Sequence, residues 1–119
     1  MKIVAFIFSQ APHGTSSGRE GLDAILSVSS IIKEIGLFFI GDGVLQLIKS
    51  YQSEKILARD YTSCFSILSF YDIKYFYCCK KSLIERGLNY KKDFILNVDI
   101  LESNALRLKL DRYDAIINF

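Results

Sequence analysis

The order of apolar runs and helical patterns in this 119-residue chain predicts an α/β fold: an open, mostly parallel central sheet of about five strands with helices on both faces. Three observations carry the prediction. The stretch from Lys2 to Ser9 holds an unbroken apolar run, Ile3 to Phe8, rather than an alternation, as in a strand covered on both faces. A small-residue loop and a capped helical pattern follow it directly, the entry of a strand–loop–helix unit. From there strand patterns and helix patterns alternate to the last residue, which calls for right-handed crossovers.

The elements read in order as follows. The loop Gln10 to Gly18 holds Pro12, the only proline. Ser17 to Ile35 predicts one long helix, with Ser17 as its cap, Glu20 completing a capping box, and Leu22, Ile25, Val28, Ile32 and Ile35 as its buried stripe. Gly36 ends it. Leu37 to Ile40 is a second buried strand that closes on Gly41-Asp42-Gly43, and Val44 to Ile48 starts a short helix. Ser53 to Phe70 reads as mostly helical, with Ile56, Leu57, Tyr61, Cys64, Phe65 and Leu68 inward. Ile73 to Cys78 is a third strand, rich in aromatic and β-branched residues. Lys80 to Arg86 is a helix stopped by Gly87, Phe94 to Val98 a short strand, and Glu102 to Leu110 a helix with Leu106 and Leu110 inward. Asp114 to Phe119 is the last strand, with Ile116, Ile117 and Phe119 expected near the core. No repeat, linker or low-complexity tract interrupts the pattern. In outline the fold is flavodoxin-like, though smaller, and the length suits one domain.

Half of the residues are hydrophobic, with nine Phe and seven Tyr. That is enough to cover a sheet on both faces and leave apolar surface for a partner, although a rich core accounts for it equally well. The net charge is +2 and the pairs Lys80-Lys81 and Lys91-Lys92 are short and separate. Direct nucleic-acid contact, which needs a denser basic footprint, is not expected. The apolar run at the start is shorter than the roughly 7–15 residues of a secretory signal and far below the about 20 of a membrane span. A cytoplasmic protein with no membrane contact is expected, so Cys64, Cys78 and Cys79 read as thiols. Adjacent Cα atoms lie about 3.8 Å apart, too close for an ordinary bridge between Cys78 and Cys79. The cysteine spacing and the single histidine, His13, match no zinc site, and no metal is expected.

Three places invite chemistry. The loop Gln10 to Gly18 leads into a helix whose first amides could hold an anion such as a flavin phosphate, but it carries neither a P-loop ending nor Gly-x-Gly-x-x-Gly. A capped turn explains it as well. His13 could act as a base, yet no nucleophile motif accompanies it. The second place is Cys79, between a strand and a helix and followed by Lys80 and Lys81. A helix N-terminus and nearby lysines favour a thiolate, which could carry a persulfide. The alternative is a small buried hydrophobe, the usual state of cysteine and the expected one for Cys78 and Cys64. The third place is Gly41-Asp42-Gly43 together with Arg59-Asp60-Tyr61, which a site or a subunit interface would use equally well.

A further set of stretches carries a family likeness. They are Ala5-Phe6-Ile7-Phe8-Ser9, Ala11-Pro12-His13-Gly14-Thr15, Gly18-Arg19-Glu20-Gly21-Leu22-Asp23-Ala24, Phe38-Phe39-Ile40, Asp42-Gly43-Val44 and Leu57-Ala58-Arg59-Asp60-Tyr61. Leu68, Tyr71-Asp72-Ile73, Cys79, Ser82-Leu83, Glu85-Arg86-Gly87-Leu88 and Tyr113-Asp114 continue them. Together they resemble the sulfur-relay family that includes the DsrE and DsrF proteins, over nearly the whole chain. The resemblance implies a role in passing persulfide sulfur along carrier proteins toward 2-thiolation of the wobble uridine in tRNA. It implies a C-type subunit that sits with related B and D subunits in a heterohexamer, a dimer of three-chain units, and serves a downstream sulfur-carrier protein. In the family the persulfide cysteine is credited to the D subunit, and its counterpart here is Cys79. Lys80 and Lys81 replace the small apolar residues of that subunit, so the resemblance implies a structural partner of the catalytic chain. Cys79 is the one candidate catalytic residue, and no cofactor is expected.

Overall fold

The computed structural model describes residues 2–11, 17–47, 68, 73–88 and 97–119, without the side chains of 17–19. Strand β1 (Ile3–Phe8) leads to helix α1 (Ser17–Val28), strand β2 (Glu34–Phe39) and a 3-10 helix (Gly41–Leu47). Strand β3 (Tyr75–Cys79), helix α2 (Lys80–Glu85), strand β4 (Asp99–Leu101), helix α3 (Ser103–Leu110) and strand β5 (Ala115–Asn118) complete the described elements. The sheet order is β4-β3-β2-β1-β5, and every pairing is parallel.

That order dictates the layers. From β1 to β4 the chain steps along the sheet in one direction, then returns past β1 to place β5. Right-handed crossovers put the connections of the two directions on opposite faces. Accordingly Leu22 and Ile25 of α1 and Leu83 of α2 share one core with Val4, Phe6, Phe8, Leu37, Phe39, Phe76 and Cys78. Leu106 of α3 joins Ala5, Ile7, Phe38, Tyr77, Cys79 and Tyr113 on the other face. Aromatic rings fill both layers. Phe8 stacks on Phe39 with centroids 5.3 Å apart, and Phe38 lies 4.8 Å from Tyr77. The predicted class, a parallel five-stranded sheet with helices on both faces, is the observed one.

Several boundaries differ from the sequence reading. The first helix ends at Val28, so Ile32 and Ile35 are not part of it. Ser29 Oγ donates to the Leu26 carbonyl, and the Ile31 and Ile32 amides both donate to Val28 O. Serine hydroxyls compete for helix carbonyls, and the Lys33 amide turns to Lys2 O, where the ladder with β1 begins. Gly36 is therefore no helix stop. It sits inside β2, and the hydroxyl end of Tyr113 occupies the place of a Cβ. The expected turn and helix after β2 form one 3-10 helix that starts at Gly41, with the Gly43 amide donating to Ile40 O at 2.8 Å.

The short strand β4 lies at Asp99–Leu101, beyond the expected Phe94 to Val98; its register, with Tyr77 beside Asp99, is set by β3. Residues 94–96 lie outside the described residues, and so does the helix expected over Ser53 to Phe70, of which Leu68 alone is described, fully buried. Ile116 and Ile117 are 47% and 42% exposed rather than buried, because β5 is an edge strand with one neighbour. Phe119 does reach the core, stacking on Phe6 and Phe8 at 6.0 and 5.8 Å.

Two consequences are measurable. A Cβ on Gly43 would collide with the backbone carbonyl of Phe8, whereas one on Gly36 meets only the end of the Tyr113 side chain. Gly43→Ala is expected to cost about 3 kcal/mol or more and Gly36→Ala about 1–3 kcal/mol, read by denaturant unfolding. The second consequence is alkaline sensitivity. Burial pushes the Cys78 thiol from 9.0 up to about 12, and the neighbouring Cys79 adds to the rise. Burial also raises the Tyr77 and Tyr113 phenols, the latter further because of Glu34. Between pH 9 and 12 the unfolded thiol releases its proton while the folded one keeps it. Stability should therefore fall by about 1.4 kcal/mol per pH unit there, and more steeply above pH 10 as the phenols join in. Cys78→Ala should flatten the pH 9–10 part of the curve, measured relative to its own stability at pH 7.

Candidate functional site

The strand ends that close this sheet offer two places for chemistry. In an open α/β sheet, ligands gather at the carboxyl ends of the strands where the strand order reverses. Here the reversal falls between β1 and β5. The Ser9 amide and hydroxyl both donate to Phe119 O, at 3.0 and 3.3 Å. Gln46 Nε2 from the 3-10 helix donates to Gln10 O at 3.1 Å. These bonds fasten the start of the loop Gln10 to Gly18. Residues 12–16 and the side chains of 17–19 lie outside the described residues, so His13, the Ser17 cap and the anion-binding reading of this loop are not placed.

The second place is the end of β3. Pleating turns successive side chains to opposite faces. Cys78 accordingly faces the α1 layer, fully buried, and Cys79 faces the α3 layer at 7% exposure. Cys79 is both the last residue of β3 and the N-cap of α2, with φ −78° and ψ 117° and no side-chain cap. It lies beside Leu101 in the ladder. The two thiols are free. Beyond the Cys79–Leu101 pair opens a groove of about 680 Å³ between α2 and the start of α3. Lys80, Lys81, Ile84 and Glu85 line one side, and Glu102, Ser103 and Asn104 the other. Lys80 and Lys81, which follow Cys79 in the chain, thus line this groove together with two glutamates, Glu85 and Glu102. Cys64 lies outside the described residues.

A junction ties the ends of β2 and β3 together. The Gly41 amide donates to Ser82 Oγ at 2.9 Å. Arg86 Nε and Nη2 both reach Asp42 Oδ1 at 2.9 Å, and Nη1 donates to the Ser82 carbonyl at 3.1 Å. Asp42 thus faces the strand ends, as its place after β2 suggested. Its partner Arg86 was not singled out by charge or spacing, because the two residues are 44 apart in sequence. The sequence signal for Arg86 is its place in the family stretch Glu85-Arg86-Gly87-Leu88, just before Gly87, whose φ of +67° ends α2. Arg59, Asp60 and Tyr61 lie outside the described residues. Among the described residues no group of three or more His, Cys, Asp or Glu could hold a metal ion. No described helix is long and apolar enough to cross a membrane.

The arrangement can present one thiol, Cys79, at a strand end that opens on a mixed-charge groove. Thiol exchange needs room for an attacking thiolate to approach the sulfur, and the cover on Cys79 restricts it. Alkylation of the native protein, followed by peptide-resolved mass spectrometry, should modify Cys79 at least about tenfold faster than Cys78, and both far more slowly than in denaturant. Equal rates for the two would contradict their placement on opposite faces.

The model of the DsrE/DsrF-like family matches residues 2–119. The protein TusC of Buchnera aphidicola subsp. Acyrthosiphon pisum (strain Tuc7) is 72% identical over 119 residues, all of both chains. TusC of Buchnera aphidicola subsp. Schizaphis graminum is 68% identical, again over the full length of both. Among solved structures, the ychN protein from E. coli superposes with a TM-score of 0.76 at 18% identity, and the protein of unknown function MTH1491 from Methanobacterium thermoautotrophicum with 0.70 at 16%. Each superposition covers all of both chains, and identities this low speak for the fold alone. Matched from end to end by the family model, this chain belongs to the DsrE/DsrF-like family.

Proposed function

We propose that this chain is a subunit of a cytoplasmic sulfur-relay complex that passes persulfide sulfur toward 2-thiolation of the wobble uridine in tRNA, and that it serves there as a structural partner of the catalytic subunit. End-to-end similarity to proteins named TusC supports the first part. The observation that carries the second is the cover on Cys79, 7% exposed in the α3 layer beside Lys80 and Lys81. A residue that must accept and release sulfur on every turnover needs an open approach; a packing residue does not. The partners in this reading are related B and D chains in a heterohexamer, a dimer of three-chain units, with a downstream sulfur carrier reached through the complex.

A second reading has its own observation. Cys79 stands at a helix start next to an open groove that two lysines help to line. A modest movement of that rim would expose the thiol as a direct persulfide carrier.

The 2-thiouridine content of tRNA separates the two readings. In cells lacking this chain it should fall, and both the natural chain and Cys79→Ser should restore it. Restoration by the natural chain alone, with the serine variant still assembling, would make Cys79 a relay site. Unchanged 2-thiouridine without the chain would remove the sulfur-relay reading altogether.

A further inference from the structure

We propose that the open edge of β5 is a seam between two copies of this chain, where antiparallel β5 strands join the two five-stranded sheets into one. The inference is independent of the sulfur-relay reading. Among the described residues β5 pairs with β1 alone, so alternate residues of Ala115–Asn118 turn their N–H and C=O groups to the open side. Such a row of donors and acceptors is recognised by another extended strand. Natural edges are commonly protected by shortness, charge or proline. The opposite edge, β4, has three residues and an exposed Asp99 at its start. The four residues of β5 include neither a charge nor a proline.

The side chains say what kind of partner fits. Ile116 lies beside Ala5 on the α3 face, and Ile117 beside Phe6 on the α1 face. Both are exposed, at 47% and 42%. A helix or a small ligand packed on the sheet would cover one of them; a strand added in the plane of the sheet covers both. That strand must itself present an apolar side chain on each face, as β5 does with Ile116 on one and Ile117 on the other. A two-fold axis normal to the sheet brings like faces together, so one of the two isoleucines faces its own copy directly, the other, on the opposite face, lies diagonally from its copy, and no like charges meet within Ala115–Asn118.

Sedimentation of the full chain alone, between about 1 μM and about 1 mM where modest interfaces dissociate, tests this. The expected result is a concentration-dependent dimer, with the amides of residues 115–118 gaining protection from hydrogen exchange as the dimer forms. Ile117→Lys should be monomeric across the range, and Ile84→Lys, on the exposed face of α2, should dimerise like the natural chain. The double variant Ile116→Thr/Ile117→Thr keeps β-branched residues and should also be monomeric, which secures the test if the lysine variant misfolds. A natural chain that stays monomeric at about 1 mM, or one that uses this edge only with a different chain, overturns the proposal. So does a dimer that survives in the folded variants.

Discussion

Strand β1 is the constraint on which the rest of this structure depends. It is bonded on both sides, six residues to β2 and four to β5, and five of its six residues are buried. A parallel strand in this position must be covered on both faces, and each large side chain buried there contributes roughly 1.5–3 kcal/mol. The other elements take their places from its backbone. Lys2 O receives the amide that opens β2, Ile3 O the amide of Asp114 before β5, and Phe8 O the amide of Ile40. The same Phe8 carbonyl leaves no room for a side chain at Gly43, which places the 3-10 helix against the end of the sheet.

From that frame the chemistry at the strand ends follows. β3 carries two consecutive cysteines, and alternation sends them to different layers. The inner one is a core residue whose thiol is held neutral by burial. The outer one sits where strand becomes helix, beside a groove. The junction of Gly41, Asp42, Ser82 and Arg86 holds the start of the 3-10 helix against α2. Asp42 is 60% exposed in that ion pair, so the pair orients Arg86 more than it stabilises the fold. The two functional readings proposed for this chain rest on the same sheet and differ only in the access they give the outer thiol.

The sequence itself determined the class of fold, the order of the described elements and the opposite facing of the two cysteines. Continuous apolar runs such as Ile3 to Phe8 are read at the level of one strand, and alternation in β3 needs only the period of the pleat. Helix stops at Gly87 and the inward Leu106 were legible for the same reason: they depend on residues within a turn or two. The family stretches were legible too, although what they imply reached the chain through resemblance and not through physics.

Tertiary structure alone decided the rest. Helical periodicity runs on through Ile32 and Ile35, but pairing with β1 draws residues 34 and 35 into β2, a gain that no local propensity contains. Gly36 reads as a helix stop until Tyr113, 77 positions later, lies across it. The Asp42–Arg86 pair, the cover over Cys79 and the exposure of Ile116 and Ile117 are likewise products of strand order. An apolar strand has the same sequence signature at the centre of a sheet and at its edge; only the number of neighbours distinguishes them, and that number is set by contacts between residues far apart in the chain.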